Sequence, residues 1–477
     1  MKRISVFAAL ILISAAAVFA QVTSSSPAMP GWSSPQFTAT QGRFRGAADN
    51  FIRPDYYNAV TFDKFFAMTS FALTDRAQLG YAGKIGGLYI GAAYGGTFWA
   101  GYTNFNYTEQ EYATWPGGSK RVPVYGFDPA APFGANGGDA TENRIAVLLG
   151  VADMGFRFTL SSVNHELISI KDSVVGGNAG AAAVSSYEAE RGNITPQIAW
   201  AMAKDLTENG IRPYVILDLG FERRYAKGEA AGGGDYVVYS ENHFDPKLTL
   251  GLGGYTFYKN EGGFRLLADF EYALALRIYE NEYLDGSNKI SKIKGLNTGG
   301  ANGLTENTYN GHLLTPAISG LWSGGPLGLR FRLNLPVIIY GQESTAMTVN
   351  GSGLDSGTKT TTSFLGFAPN LQLAAQWKIV SKLTLNAGGR IGLAAVSRTT
   401  TDIEYNTTPA TSTKGIRDSH GDTSNQLTVG FTFLPTDNLT FEASTGVSSP
   451  ASNNINVFDT SANGLLNFTS LLVGLKF

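Results

Sequence analysis

Apolar and polar residues alternate along most of this chain with a period of two. In the stretch "FRLLADFEYALALRI", Phe264, Leu266, Ala268, Phe270, Tyr272, Leu274, Leu276 and Ile278 are all apolar. The positions between them include Arg265, Asp269, Glu271 and Arg277. Successive side chains of a strand point to opposite faces. The stretch therefore predicts a strand with one hydrocarbon face and one charged face; a helix would mix the two. The same alternation sets Val215, Leu217, Leu219 and Phe221 against Asp218 and Glu222. It sets Leu327 to Ile339 against Arg330, Arg332 and Asn334, Leu371 to Ile379 against Gln372, Gln376 and Lys378, and Leu427 to Phe433 against Gln426, Thr428 and Thr432. Strands of soluble proteins average about 5–6 residues. These run to 9 or more, the length that crosses a bilayer at a tilt.

The connections carry a second regularity. Tight turns fall at Gly86-Gly87, Ala152-Asp153, Thr207-Glu208-Asn209, Lys259-Asn260, Ser323-Gly324-Gly325, Ser381 and Thr436-Asp437. Long polar stretches alternate with them, at 108–141, 168–190, 226–243, 283–308, 346–359, 400–423 and 449–463. Short turns on one side and long loops on the other predict an all-β fold, a single transmembrane antiparallel β-barrel. Fifteen strands follow from about Ala77, and parity assigns the sixteenth to Ala59–Phe71. The expectation is about 16 strands, with 14 as the alternative.

Composition agrees with a wall rather than a globule. Charged residues make up 16 % of the 477, against about 25 % in soluble domains. No stretch after residue 20 is long and apolar enough for a membrane helix. Cysteine is absent, which excludes disulfides, thiolate catalysis and Cys-ligated zinc. A net charge of -2 points to no nucleic-acid partner. Residues 1–20, "MKRISVFAALILISAAAVFA", have the basic start, apolar middle and small-residue end of a signal peptide, with the cut expected after Ala20. Residues 21–57 hold Pro27, Pro30, Pro35 and Pro54 among Ser, Thr and Gly. They read as a periplasmic leader, which composition favours, or as a plug entering the lumen. Residues 58–477 are the expected barrel.

Catalytic and metal-binding patterns are missing. His165, His243, His312 and His420 stand apart from one another, where a metal site would want two close in sequence. Ser161 and Ser162 before His165 read as a solvated loop edge rather than a nucleophile and base. No enzyme activity, cofactor or metal is expected. Function should instead lie on the inward faces. Inward cations are Arg157, Arg212, Arg224, Arg265, Arg277, Arg330, Arg332, Lys378, Arg390 and Lys476; inward anions are Asp218, Glu222, Asp269, Glu271 and Glu442. These charges either pair across strands and solvate the wall, or leave a cationic surplus that favours anions.

The last residues, "LLVGLKF", place Leu471, Val473, Leu475 and Phe477 on one face and Gly474 and Lys476 on the other. This ending resembles the carboxy-terminal assembly signal of bacterial outer-membrane β-barrel proteins. Within that group the chain looks porin-like, of the spirochaete branch. The resemblance implies an outer-membrane location, the lipid bilayer and the barrel assembly machinery as partners, and passive diffusion of small hydrophilic solutes. It also implies an inward-folded constricting loop, for which 108–141 is the longest candidate, and admits a trimer. Two other functions fit the sequence. One is a transporter of hydrophobic compounds, similar to long-chain fatty-acid transporters, with residues 21–57 as plug and with Pro196, Pro213, Pro336 and Pro369 bulging their strands. The other is a surface adhesin using the long external loops.

Overall fold

The computed structural model describes residues 39–40, 44, 66–72, 76–86, 88–97, 107–112, 120–125, 140–151, 154–165, 168–175, 182–202, 210–230, 235–284, 290–294, 296–297, 304–350, 353–393, 395–405, 411–421, 425–449 and 468–476. The expected signal peptide and the terminal Phe477 lie outside these residues.

Among the described residues, sixteen strands form the wall. They are β1 (Phe66–Ala72), β2 (Arg76–Ile85), β3 (Leu88–Thr97), β4 (Ala140–Val151), β5 (Met154–His165), β6 (Ala182–Met202), β7 (Arg212–Ala230) and β8 (Asp235–Lys259). They continue with β9 (Arg265–Leu284), β10 (Leu304–Gly324), β11 (Leu327–Asn334 and Val337–Asn350) and β12 (Gly353–Phe367 and Asn370–Val380). The rest are β13 (Leu383–Gly392 and Ala395–Tyr405), β14 (Thr411–Gly421 and Asn425–Thr436), β15 (Leu439–Ser449) and β16 (Phe468–Lys476). Each pairs antiparallel with its chain neighbour. β16 returns to β1, with Phe66↔Lys476, Met68↔Gly474 and Ala72↔Ser470 as partners. The ring of pairings thus leaves no free edge on the wall. Leu471, Val473, Gly474 and Leu475 all lie in this closing strand, opposite Phe71, Thr69, Met68 and Ala67.

Burial confirms the facing read from period two. Ile145, Phe158, Ile198, Leu250, Leu373 and Ile391 are exposed on the outside, Ile198 at 53 %. Their polar neighbours are buried on the inside, among them Arg144, Gln197, Asp218, Asp269, Asn386, Thr428 and Glu442. A soluble protein would reverse this distribution.

Among the described residues, stretches expected as external loops are strand instead, including 168–190, where Ile168–Val175 pairs with β6 from Ala182 to Ala189. Residues 226–243 continue β7 and β8, whose ladder runs out to Glu229↔Asp235. Residues 346–359 continue β11 and β12 to Asn350↔Gly353, and 400–423 continue β13 and β14 to Tyr405↔Thr411. Beyond the bilayer both faces meet water, so the apolar/polar contrast vanishes while the ladder persists. Threonine-rich runs such as Thr360 to Thr362 and Thr399 to Thr401 keep the β preference. Residues 108–141 contain a hairpin, Tyr107–Tyr112 with Lys120–Tyr125, joined to Ile168–Val175 through Val124↔Val174. That contact attaches the hairpin to the external rim of the sheet.

Two of the four strand prolines noted above do break their strands. Pro336 separates the halves of β11 and Pro369 those of β12. Pro316 of β10 lies at the same level, and the three form one line across the wall. The N–H of Leu335 donates to the Pro316 carbonyl (2.9 Å), Ala368 to Pro336 (3.3 Å) and Leu393 to Pro369 (2.9 Å). Each proline lacks a donor but still accepts, so the ladder crosses the line on one bond per step. Pro196 and Pro213 stay within the continuous β6 and β7; Pro196 interrupts only the ladder to β7, between Gln197 and Ile194.

The external part of β13 and β14 carries a two-pronged ion pair. Arg398 donates from Nε and Nη2 to the carboxylate of Asp418 at 2.7 and 2.8 Å. That hydrogen bond holds the Asp418 carboxyl below its ordinary pKa. A depressed folded pKa stabilises the hairpin above the unfolded value and ceases to do so as pH falls through the folded one. Hydrogen-exchange protection of 395–405 and 411–421 should therefore decline on acidification below the usual carboxylate range. Asp418→Asn should remove that dependence.

Candidate luminal site

The inward side chains form a hydrogen-bonded belt. Arg157 of β5 donates to Gln197 of β6, which donates to Asp218 of β7. Tyr214 of β7 reaches over β8 and donates to Glu271 of β9. It can do so because Gly251 lies beneath its ring; a Cβ there would fall 1.9 Å from a ring carbon. Arg277 of β9 grips Asp245 of β8 through two bonds of 2.7 Å.

Asp269 of β9 is the hub of the belt, only 6 % exposed. It accepts from the Gly254 N–H (2.9 Å), the Ser319 hydroxyl (3.0 Å) and Arg332 (3.2 Å). Gly254 has a φ of +79° and sits where the β8–β9 register shifts, between Leu252 and Tyr255. The bulge turns its N–H toward Asp269, a backbone state that glycine adopts without strain. Arg332 also donates to Asn334 (2.7 Å), Asn334 to Asn370 of β12 (3.0 Å), Gln376 to Asn386 of β13 (3.2 Å), and Asn386 to Thr432 of β14 (3.2 Å).

A segment of chain from far upstream touches the inner face of β11 to β14. The Thr428 hydroxyl donates to the Ala39 carbonyl (3.0 Å). The Thr40 hydroxyl accepts from the Phe44 N–H and donates to the Phe44 carbonyl, both at 3.0 Å, closing a compact turn. The Phe44 ring lies under the Arg330 guanidinium at 4.3 Å, a cation–π contact. All three residues are buried. Glycines on the luminal face make this approach possible. A Cβ at Gly388 would meet the Ala39 carbonyl oxygen at 2.6 Å and the Thr40 Cα at 2.9 Å. A Cβ at Gly430 would meet the Ala39 Cβ at 2.8 Å.

The inward charges read from sequence are thus placed as follows. Asp218, Asp269, Glu271, Arg277, Arg330 and Arg332 are tied into the belt or the upstream segment. Arg212 and Glu222 are half-buried and engaged. Arg265 and Lys378 are exposed toward the periplasmic ends of β9 and β12, and Arg390 is exposed well inside β13. Arg224 lies in β7, with its side chain outside the described residues. Sequence reading missed Asp245 and the glycine seat. The signal for the seat was there: Gly328, Gly388 and Gly430 all fall on the polar phase of their strands.

An apolar exterior, a polar interior and a ladder that returns to its start define a transmembrane β-barrel, here with chain seated on the luminal wall. No family model matches the chain, and no curated protein matches it. Among solved structures it is similar to the CymD monoaromatic hydrocarbon channel, at 8% identity over 93% of this chain and 97% of that one, with a TM-score of 0.37. It is also similar to the toluene transporter TodX of P. putida, at 8% identity over 94% and 99%, with a TM-score of 0.36. The alcaligin outer-membrane receptor FauA from Bordetella pertussis matches at 8% identity over 87% and 75%, with a TM-score of 0.34. At these scores no residue role passes from those proteins to this chain.

Proposed function

We propose that this chain is an outer-membrane channel through which small hydrophilic solutes diffuse, narrowed from within by its own N-terminal region. The polar belt on the luminal face carries this reading. A sixteen-stranded ring is wide enough to hold water, and a lumen lined by Arg, Asp, Gln and Asn has no use in a wall that only separates compartments. The part of the N-terminal region that holds Ala39, Thr40 and Phe44 acts here as a plug, since these three residues touch the wall from inside.

The channel prefers anions mildly. Arg277 and Arg332 are cancelled by Asp245 and Asp269, which leaves exposed Arg265, Lys378 and Arg390 to set the sign. In planar bilayers under a potassium chloride gradient, the reversal potential of the refolded protein should show chloride passing better than potassium. Cation preference would overturn this reading. The seated upstream segment favours a second function, transport of a hydrophobic compound past a plug. Fatty acid or detergent retained inside the purified barrel, with no steady conductance, would select that alternative.

A further inference from the structure

We propose that a groove on the outer wall, across β10 to β14, holds one acyl chain of a phospholipid. This site is independent of the channel reading, since it uses only the outward facing of the wall. The groove has a volume of about 870 Å³, within the ~300–1,000 Å³ of pockets that take a small-molecule ligand. Its side chains belong to the outward phase. Leu329, Leu373 and Ile391 line it and are exposed on the outside of the barrel.

Two local features make the hollow. The first is a floor without bulk. Ala375 faces Ala387 across the β12–β13 ladder, and Gly389 stands between Leu373 of β12 and Leu427 of β14. Ala374 and Gly388 alternate with these, have the luminal phase, and give the groove only backbone. The second is that the bulk beside the floor leans away. The Phe331 ring lies over Gly320 of β10, where a Cβ would collide with it, and the Trp322 ring lies over Gly324. On the periplasmic side of the floor, Trp377 and Leu385 stand out from the wall as direct partners, both exposed.

What fills the groove follows from where it lies. It is continuous with the apolar exterior that meets the bilayer, so its occupant is hydrocarbon. Water would find no polar partners there. An empty hollow forfeits the dispersion contacts of the atoms that line it. Phe264 and Trp322 line its periplasmic end, beside the turns at Asn260 and Gly325, where the interfacial level of a bilayer falls. A phospholipid can therefore keep its headgroup at the interface and lay one chain along the groove. A second barrel fits less well. Apolar walls in lipid gain only packing from meeting, and two convex walls touch along their ridges rather than in their hollows.

The test uses the full chain, refolded into vesicles of dioleoylphosphatidylcholine, extracted in mild detergent and weighed intact by native mass spectrometry. The wild-type protein should carry one phosphatidylcholine. Ala375→Leu with Ala387→Leu raises the floor and should cut the carried lipid about tenfold, the worth of roughly ten lost van der Waals contacts. Gly389→Leu, the smaller fill, should lie between. Val147→Leu adds bulk to the outer face of β4, away from the groove, and should keep the lipid. A wild-type protein free of lipid overturns the site, as does equal loading of the wild type and the filled variants. A dimeric mass in the wild type that the filled variants abolish gives the groove to a second copy and overturns it too. Conductance is measured apart from this, so silent bilayers would strike the channel reading and leave the groove standing.

Discussion

Gly388→Leu should raise single-channel conductance by about twofold or more while leaving the barrel intact. The added Cβ alone would stand 2.6 Å from the Ala39 carbonyl oxygen and 2.9 Å from the Thr40 Cα. Both are backbone atoms of the seated segment, which must leave the wall as a unit because the Thr40 hydroxyl closes its turn. A lumen of sixteen strands is then free to fill with water. Gly389→Leu is the control. It lies next in sequence but on the opposite face, where a Cβ would come no nearer than 3.5 Å to the Gln426 carbonyl oxygen. Its conductance should stay at the wild-type value. Deleting residues 21–57 should raise conductance as Gly388→Leu does, and adding Gly388→Leu to the deletion should change nothing more. Wild-type conductance in Gly388→Leu would place the segment outside the conduction path.

The second large effect is on stability. Asp269→Ala should cost about 3–5 kcal/mol, the usual penalty for removing one partner of a buried ion pair. Its carboxylate answers Arg332, the Ser319 hydroxyl and the Gly254 N–H together. Losing it strands a half-buried guanidinium and a backbone N–H that the β8 bulge has turned inward. Equilibrium unfolding in urea from lipid vesicles measures the cost. Asp269→Asn retains an acceptor for the N–H and should lie between alanine and wild type. A loss below about 1 kcal/mol, typical of an exposed pair, would show that the hub is solvated.

The wall was legible because the bilayer dictates it. Each crossing strand must show hydrocarbon on alternate positions, so Phe264 to Ile278 declared both its conformation and its facing. The turns were legible for a related reason: only a few polar residues interrupt the alternation at Ser381 or Thr436. Three features escaped. The external extensions of β7, β8 and β11 to β14 lack the contrast, since water lies on both sides. Asp245 precedes Pro246, a pair that reads as a turn, yet it lies within β8 and holds Arg277. The seat for residues 39–44 is made of absent side chains. A glycine on a polar face looks neutral in a one-dimensional pattern, and only packing shows that Gly388 and Gly430 are hollows with an occupant.

The line from Pro316 through Pro336 to Pro369 has a consequence for how the wall is built. A barrel closes only when the stagger accumulated around the ring matches the strand that awaits it. A slip of one residue between neighbours would turn every side chain to the wrong face. At this line the only backbone donor of Leu335-Pro336 and of Ala368-Pro369 is the residue before the proline, and its acceptor is the proline carbonyl one strand back. Shifting β12 by one residue against β11 would bring a ring with no N–H to the carbonyl that needs one. The three prolines therefore work like index marks on a dial. From β10 to β13 each strand has one setting at which the marks agree.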